Sequence, residues 1–339
     1  MSDSATAGGA HRADDRPVRA EDAFDLPAVV SWLRAEVPGL PDGEPAVRQF
    51  SGGASNLTYL LRYPGRDLIL RRPPPGTKAG SAHDMRREHR IQSALAPHYP
   101  YVPAMVALCT DEHVLGSDFY VMERIEGVIP RSAMPPQVDA GDPALMRALG
   151  ERYVDLLAEL HAIDPDTAGL TDLGRGPGYV ARQVAGWSER YTRARTWNVP
   201  SFKRVMRWLD ANQPADVATC VIHNDFRLDN LVLDPTDPVQ VRGVLDWELA
   251  TIGDPLMDLG SALAYWVEAG DGFGMQRFRR QPSQLAGMPT RRELVERYRA
   301  ATGRATEQWA FYEVYGLFRL AGIAQQIYYR YHHKQTRNP

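Results

Sequence analysis

Apolar residues recur along this chain in two rhythms, and the change from one to the other divides it. Leu26, Val29, Val30, Trp32 and Leu33 share one side of a helical wheel, which predicts a short amphipathic helix over 26–36. The QFSGGASNLTYLLRYPGRDLILRRPPPG that comes later alternates with period two at Leu57, Tyr59 and Leu61. Gly and Pro punctuate it at Pro64-Gly65 and at Pro73 to Pro75, so it reads as strand, glycine turn, strand, turn, strand. Met85, His89, Ile91 and Leu95 mark a helix over 81–95. VLGSDFYVMERI, 114–125, predicts two more short strands about a turn at Gly116-Ser117.

After Glu126-Gly127 the helical rhythm takes over. Leu145, Leu149, Tyr153, Leu156, Leu157 and Leu160 recur at helical spacing behind Pro143, which predicts a helix over 143–163. Further helices are expected around 179–192, 201–212, 256–268, 291–301 and 308–331. The pattern implies an α+β, bilobal architecture: a small antiparallel β lobe with one helix, then a larger, mainly helical lobe. The expected boundaries are a disordered tail over 1–22, a first lobe over 23–125 and a second over 126–335, with a hinge near 122–127.

Charge and composition narrow the function classes. With 39 Lys and Arg against 42 Asp and Glu, the chain offers no electrostatic case for nucleic acid or an anionic membrane. No apolar run approaches the ~20 residues of a membrane span. MSDSATAGGAHRADDRPVRAED has no apolar signal core. Cys109 and Cys220 lie in or beside apolar runs and read as buried free thiols, which fits a cytoplasmic location.

The chemistry concentrates in VIHNDFRLDNLVLDPTDPVQVRGVLDWELATIGDPLMD, 221–258. Asp225 stands two residues after His223, Asn230 five after Asp225, and Asp246 follows two short apolar runs. This is the layout of a phosphoryl-transfer site on a hairpin. Asp225 would accept the proton of an acceptor hydroxyl. Asn230 and Asp246 offer hard oxygens suited to Mg²⁺. Arg227 would either steady the transferring phosphoryl group or form a surface salt bridge. His223 is expected to brace the loop, Asp229 to be a solvated turn residue, and Asp254 and Asp258 to cap a helix and brace the loop. GRGPGY, 174–179, mimics a nucleotide loop but has no strand before it and reads as a plain turn.

These residues resemble the aminoglycoside phosphotransferase and choline kinase-like family, which shares the protein-kinase fold. His223-Asn224-Asp225 through Asn230 matches its catalytic loop, Asp246-Trp247-Glu248 its metal segment, and 253–259 the helix opening that follows. LILRRPPPG, SAHDMRREHR and FRLAGIAQQIYYRY are most similar to the branch that also occurs as the kinase-like domain of acyl-CoA dehydrogenase fusion proteins.

The resemblance implies ATP or GTP as cosubstrate with Mg²⁺, a small-molecule acceptor, and a monomer or homodimer. It casts Ser51, Gly52, Gly53, Ser55 and Asn56 as the phosphate-covering loop. Arg71 stands where the family has a strand lysine, with Glu88 as its ion-pair partner and Arg72 as its substitute if the register differs by one. Backbone groups of Glu123 and Ile125 would meet the nucleobase. A hydroxyacyl-CoA-like acceptor is favoured over an aminoglycoside, because arginine is abundant between 175 and 207, where Glu189 is the only acid, and Arg182, Arg193, Arg195 and Arg319 could hold an acidic acceptor. Arg for Lys at position 71 supports one rival reading, a pseudokinase-like module that binds nucleotide or acyl-CoA without turnover.

Overall fold

A computed structural model describes residues 15–50, 56–74 and 83–334. The chain forms two compact units. One holds the residues up to Ser93 together with Pro103–Arg124, and the other holds Ala94–Val102 with the residues from Ile125 onward.

Along the first unit run β1 (Asp15–Arg16), α1 (Leu26–Glu36), β2 (Ala46–Phe50), β3 (Leu57–Tyr63), β4 (Arg66–Arg72), α2 (Met85–Leu95, whose last two residues belong to the second unit), β5 (Met105–Cys109), α3 (Glu112–Leu115) and β6 (Phe119–Glu123). The strands form one antiparallel sheet in the order β1-β2-β3-β4-β6-β5. Asp25 caps α1, accepting from Ala28 N at 3.0 Å. Period two then sorts the side chains of β3 and β4. Tyr59, Leu61, Tyr63, Leu68 and Leu70 pack with Val29 and Leu33 of α1, while Leu60 and Ile69 face Met85, Tyr120 and Met122.

Two expectations change here. The first strand expected in 114–125 is instead the short helix α3, capped by Asp111, and the partner of β6 is β5, over 105–109. The disordered tail does not extend through 22. Asp15↔Phe50 and Arg16↔Gln49 pair on the sheet edge, and the Asp22 carboxylate accepts from Gln49 Nε2 at 2.7 Å. The Asp22 carbonyl accepts from Tyr59 Oη at 2.7 Å and Arg72 Nη2 at 3.0 Å. Backbone and polar pairing hold this largely polar segment, with Val18 packed against the core. Residues 1–14 lie outside the described residues.

The second unit carries α4 (Pro143–His161), α5 (Tyr179–Ala194), α6 (Lys203–Ala211), β7 (Cys220–Ile222), β8 (Leu231–Leu233), β9 (Val241–Val244), β10 (Thr251–Gly253), α7 (Pro255–Leu263), α8 (Phe273–Arg277), α9 (Arg291–Thr302) and α10 (Trp309–His332). Asp142 caps α4, and the apolar stripe Leu149, Tyr153, Leu156, Leu157 and Leu160 is buried. A Thr290–Glu293 capping box opens α9. Two small antiparallel ladders, β7–β10 and β8–β9, lie among these helices. Helix α7 stops at Leu263, short of the expected 268, and the chain turns so that the Trp266 indole donates to Pro289 O at 2.9 Å. Both cysteines are free and buried, and burial pushes each thiol up in pKa. Among the described residues no helix is long and apolar enough to cross a membrane.

Candidate active site

The buried run Cys220-Val221-Ile222 pairs with β10 and delivers the chain into a loop over 223–230. Asn224 takes φ 65°, a left-handed conformation that asparagine tolerates. Asp258, in the first turn of α7 and fully buried, holds this bend. Its Oδ2 accepts from His223 N at 2.7 Å and its Oδ1 from Asn224 N at 2.8 Å. His161 Nε2 lies 3.1 Å from the same Oδ2, and its Nδ1 is 2.8 Å from Tyr298 Oη. Burial works against the Asp258 anion, but His161 and the loop N–H groups outweigh it and hold its carboxyl below the usual range. Burial lowers the pKa of His161, which therefore donates as a neutral Nε2–H imidazole.

His223 is a brace, as expected. Its Nδ1 accepts from Asp225 N at 3.2 Å, so Nε2 carries the proton donated to Leu245 O at 3.0 Å. The ring packs on buried Trp247, centroids 4.8 Å apart. Tyr153 Oη donates to Phe226 O at 2.8 Å and Arg319 to Asn224 O at 2.7 Å. The loop backbone is thus fixed from several elements.

The side chains the loop presents converge. Asn230 Nδ2 donates to the Asp225 carbonyl at 2.8 Å and lies 3.5 Å from Asp225 Oδ2. Arg227 Nη2 sits 3.2 Å from that same Oδ2. The β8–β9 ladder pairs Leu231 with Val244, and Leu245 N donates to Asn230 O at 2.8 Å. Asp246 follows directly, in a left-handed bend at φ 69°, and Trp247 locks the turn by donating to Val244 O at 2.8 Å. Asn230 and Asp246 therefore stand at the same end of adjacent strands. With the Asn230 amide nitrogen committed to Asp225, its oxygen is the atom that remains for a cation. The donor chemistry of this pair, an amide oxygen and a carboxylate, fits Mg²⁺. Among the described residues no three His, Cys, Asp or Glu side chains gather as a metal cluster.

Asp229 departs from expectation. It is not a solvated turn residue: its side chain is only 17% exposed and its Oδ1 lies 3.3 Å from Arg227 Nε. The spacing Asp225, Arg227, Asp229 is the sequence signal that points to this triad. Tyr265, whose ring lies 5.1 Å from the Arg227 guanidinium, had no such signal.

In the first unit Arg71 Nε pairs with Glu88 Oε1 at 3.3 Å, and both side chains are largely buried. Tyr120 Oη donates to the same Glu88 oxygen at 2.8 Å. Arg72 is no substitute, because one step of the pleat turns it to the opposite face, against Asp22, Tyr59 and Phe24. Buried Asn56 meets His83 Nδ1 at 3.0 Å, while Ser51, Gly52, Gly53 and Ser55 lie outside the described residues. Glu123 N donates to Ala104 O at 2.9 Å. Ile125, in the second unit, packs against Gly243.

The arginines read as acceptor-binding are occupied otherwise. Arg182 donates to Gly176 O and Pro177 O, Arg193 pairs with Glu189 on an exposed helix face, and Arg195 donates to Val199 O. Arg319 is buried against Asn224 O and the Trp187 ring. The GRGPGY segment is a turn before α5, and Asp216 takes the N–H groups of Gly178, Tyr179 and Val180 that an anion would need.

Comparison with known proteins gives consistent matches. The sequence model described as the phosphotransferase enzyme family matches residues 46–312. Acyl-CoA dehydrogenase family member 10 of Mus musculus is 36% identical over 318 residues, which are 93% of this chain and 29% of that protein. The chain spans less than half the length of such curated relatives. A Ralstonia eutropha structure provisionally described as an aminoglycoside phosphotransferase is 33% identical, covers 93% of this chain and 92% of its own, and superposes with a TM-score of 0.78. The GDP and kanamycin complex of APH(2")-IIIa shares the fold at 14% identity and a TM-score of 0.58, covering 91% of this chain and 96% of its own.

Proposed function

The chain belongs to the phosphotransferase enzyme family, whose α+β, protein-kinase-like fold it has, and from that premise we propose that it moves the γ-phosphoryl group of ATP or GTP to a hydroxyl of a small metabolite. The observation that carries the reading is the clasp of Asp225, Asn230 and Arg227 at the end of the β8–β9 hairpin that also bears Asp246. Asp225 would take the hydroxyl proton as the oxygen attacks phosphorus. Its backbone cannot drift, because Asn230 and His223 hold it on both sides. Arg227 would place positive charge beside the transferring group. Mg²⁺, held by Asn230 and Asp246, would supply neutralisation of the phosphate oxygens.

In the first unit, Arg71 steadied by Glu88 would hold phosphate oxygens, and Asn56 with Ser51, Gly52, Gly53 and Ser55 would cover them. The Glu123 N–H is already given to Ala104 O, so its carbonyl is the group a base would meet in this unit. Support for nucleotide use comes from the relative named as a GDP complex. A hydroxyacyl-CoA-like acceptor is favoured because curated relatives at 36% identity are named acyl-CoA dehydrogenase family members. Arg182, Arg193, Arg195 and Arg319 lend no further support, since each has an internal partner. An aminoglycoside-like acceptor ranks second. A module that binds nucleotide without turnover is the rival reading, and Arg71 is the observation that favours it.

The test is Asp225→Asn, assayed for transfer from Mg-ATP and Mg-GTP to a panel of hydroxyacyl-CoAs and aminoglycosides. Transfer should fall by at least ~100-fold, the scale of a lost general base, while nucleotide binding persists. Full turnover by the variant would sink the assignment. Tight nucleotide binding by the wild type with no transfer to any acceptor would favour the binding module.

A further inference from the structure

Arg227 is held on three sides. Asp225 Oδ2 lies 3.2 Å from its Nη2, Asp229 Oδ1 3.3 Å from its Nε, and the Tyr265 ring centroid 5.1 Å from its guanidinium carbon. The side chains of Arg227, Asp225 and Asp229 are 20%, 19% and 17% exposed, so water screens these contacts weakly. The holder is itself anchored. Arg131 Nη1 donates to Asp229 O at 3.2 Å, Leu228 N to Gln281 Oε1 at 2.9 Å, and Tyr265 lies just past Ala264, the C-cap of α7. A planar guanidinium clamped by two carboxylates and an aromatic face has little freedom to rotate.

The clamp has a consequence for Asp225. Arg227 Nη2 and Asn230 Nδ2 both lie against Oδ2, the latter at 3.5 Å, and no described residue bonds Oδ1. We propose that Asp229 and Tyr265 are positioning residues that lock Arg227 onto Oδ2 of Asp225, so that Oδ1 alone receives the acceptor proton. This rests on the phosphotransferase reading above. The hydroxyl O–H bond breaks and its proton passes to Oδ1. The oxygen forms the new bond to the γ-phosphorus, and the bond to the nucleoside diphosphate breaks with its electron pair on the β-phosphate oxygen. Without Asp229 or the Tyr265 face, Arg227 would swing and the base would lose its fixed oxygen.

The experiment measures kcat for transfer from Mg-ATP to a 3-hydroxyacyl-CoA, and KM for the nucleotide, in the full chain. Tyr265→Phe keeps the aromatic face and should stay near wild type. Tyr265→Leu and Asp229→Asn should lose roughly 10- to 100-fold in kcat, the scale of a small misplacement, with nucleotide KM unchanged. Wild-type kcat in both variants, beside an inactive Asp225→Asn, would overturn the positioning role and leave the phosphotransferase reading standing. Equal losses in Tyr265→Phe and Tyr265→Leu would also overturn it, because the aromatic face would not matter. Hydrogen exchange of the Arg227 Nε–H, followed by ¹⁵N NMR, decides the clamp even if the wild type phosphorylates nothing offered. Slow exchange that becomes fast in Tyr265→Leu and Asp229→Asn supports it, and the same rate in all three refutes it.

Discussion

Asp258 does its work through atoms it does not share with any substrate. Two backbone N–H groups of the 223–225 bend and one imidazole end on its two oxygens, with no exposure to water. Asp258→Asn keeps the size but presents an NH₂ to one of those N–H donors. Hydrogen bonds to a buried charge are worth about 1.5–3 kcal/mol each, so a loss of about 3 kcal/mol is expected in urea unfolding, with phosphoryl transfer falling too. The pH dependence has a definite sign. His161 has a folded pKa below its ordinary value, so its contribution is complete above pH ~6.5 and fades as pH falls below it. The depressed Asp258 continues the trend below pH ~4, where the unfolded carboxylate begins to bind protons. Wild-type stability should therefore decline on acidification through both windows, and Asp258→Asn should flatten the lower one. A variant curve parallel to wild type below pH ~4 would contradict the assignment. The place of Asp258 near a helix start was enough to expect a brace, and the family resemblance paired Arg71 with Glu88. It could not find His161 or Tyr265, which reach their partners from α4 and from the turn after α7. It misread Asp229 and four arginines for one reason: composition shows a charge but not which internal partner takes it.

At the scale of elements, hydrophobic rhythm located α1, α4, α5, α9 and α10 because each buries several apolar residues along one side, while α6 buries only Leu209. It failed where local and non-local signals compete. Met105–Cys109 is a strand only because it pairs across a bulge with Phe119–Glu123, and nothing in its own five residues alternates. Glu112–Leu115 is helical because Asp111 caps it and Gly116, at φ 77°, ends it. The crossing of α7 and α10 depends on two glycines, one on each helix. A Cβ on Gly316 would run into the Gly260 carbonyl oxygen, and one on Gly260 would lie 2.5 Å from Tyr312 O. Backbone cannot yield as a side chain can. Gly316→Ala should cost about 1–3 kcal/mol despite its higher helix propensity, read as a lower urea midpoint with unchanged m. Since α7 also carries Asp258, nearby transfer activity should fall with it. Unchanged or raised stability would mean the helices separate freely and do not fix the loop.

At the scale of the molecule, two compact units carry different parts of the expected chemistry, and a ligand that engages only folded protein links them to stability. Saturating Mg-nucleotide at ~100 times its dissociation constant should add about 2.7 kcal/mol, visible as a higher midpoint in thermal unfolding. The metal dependence is the sharper readout. Asp246 sits at φ 69°, where Ala would be strained, so Asp246→Asn is the informative substitution: asparagine tolerates the left-handed bend and removes one unit of charge. Wild type should show a large midpoint shift with Mg-ATP and a smaller one with ATP and chelator. In Asp246→Asn the two shifts should converge, because an amide oxygen holds Mg²⁺ more weakly than a carboxylate. If the metal increment survives intact in Asp246→Asn, the cation is held elsewhere and the pairing of Asn230 with Asp246 is decorative. If nucleotide shifts neither protein, with or without Mg²⁺, the Arg71–Glu88 pair does not bind phosphate on its own, and acceptor must be added before the nucleotide site can be judged.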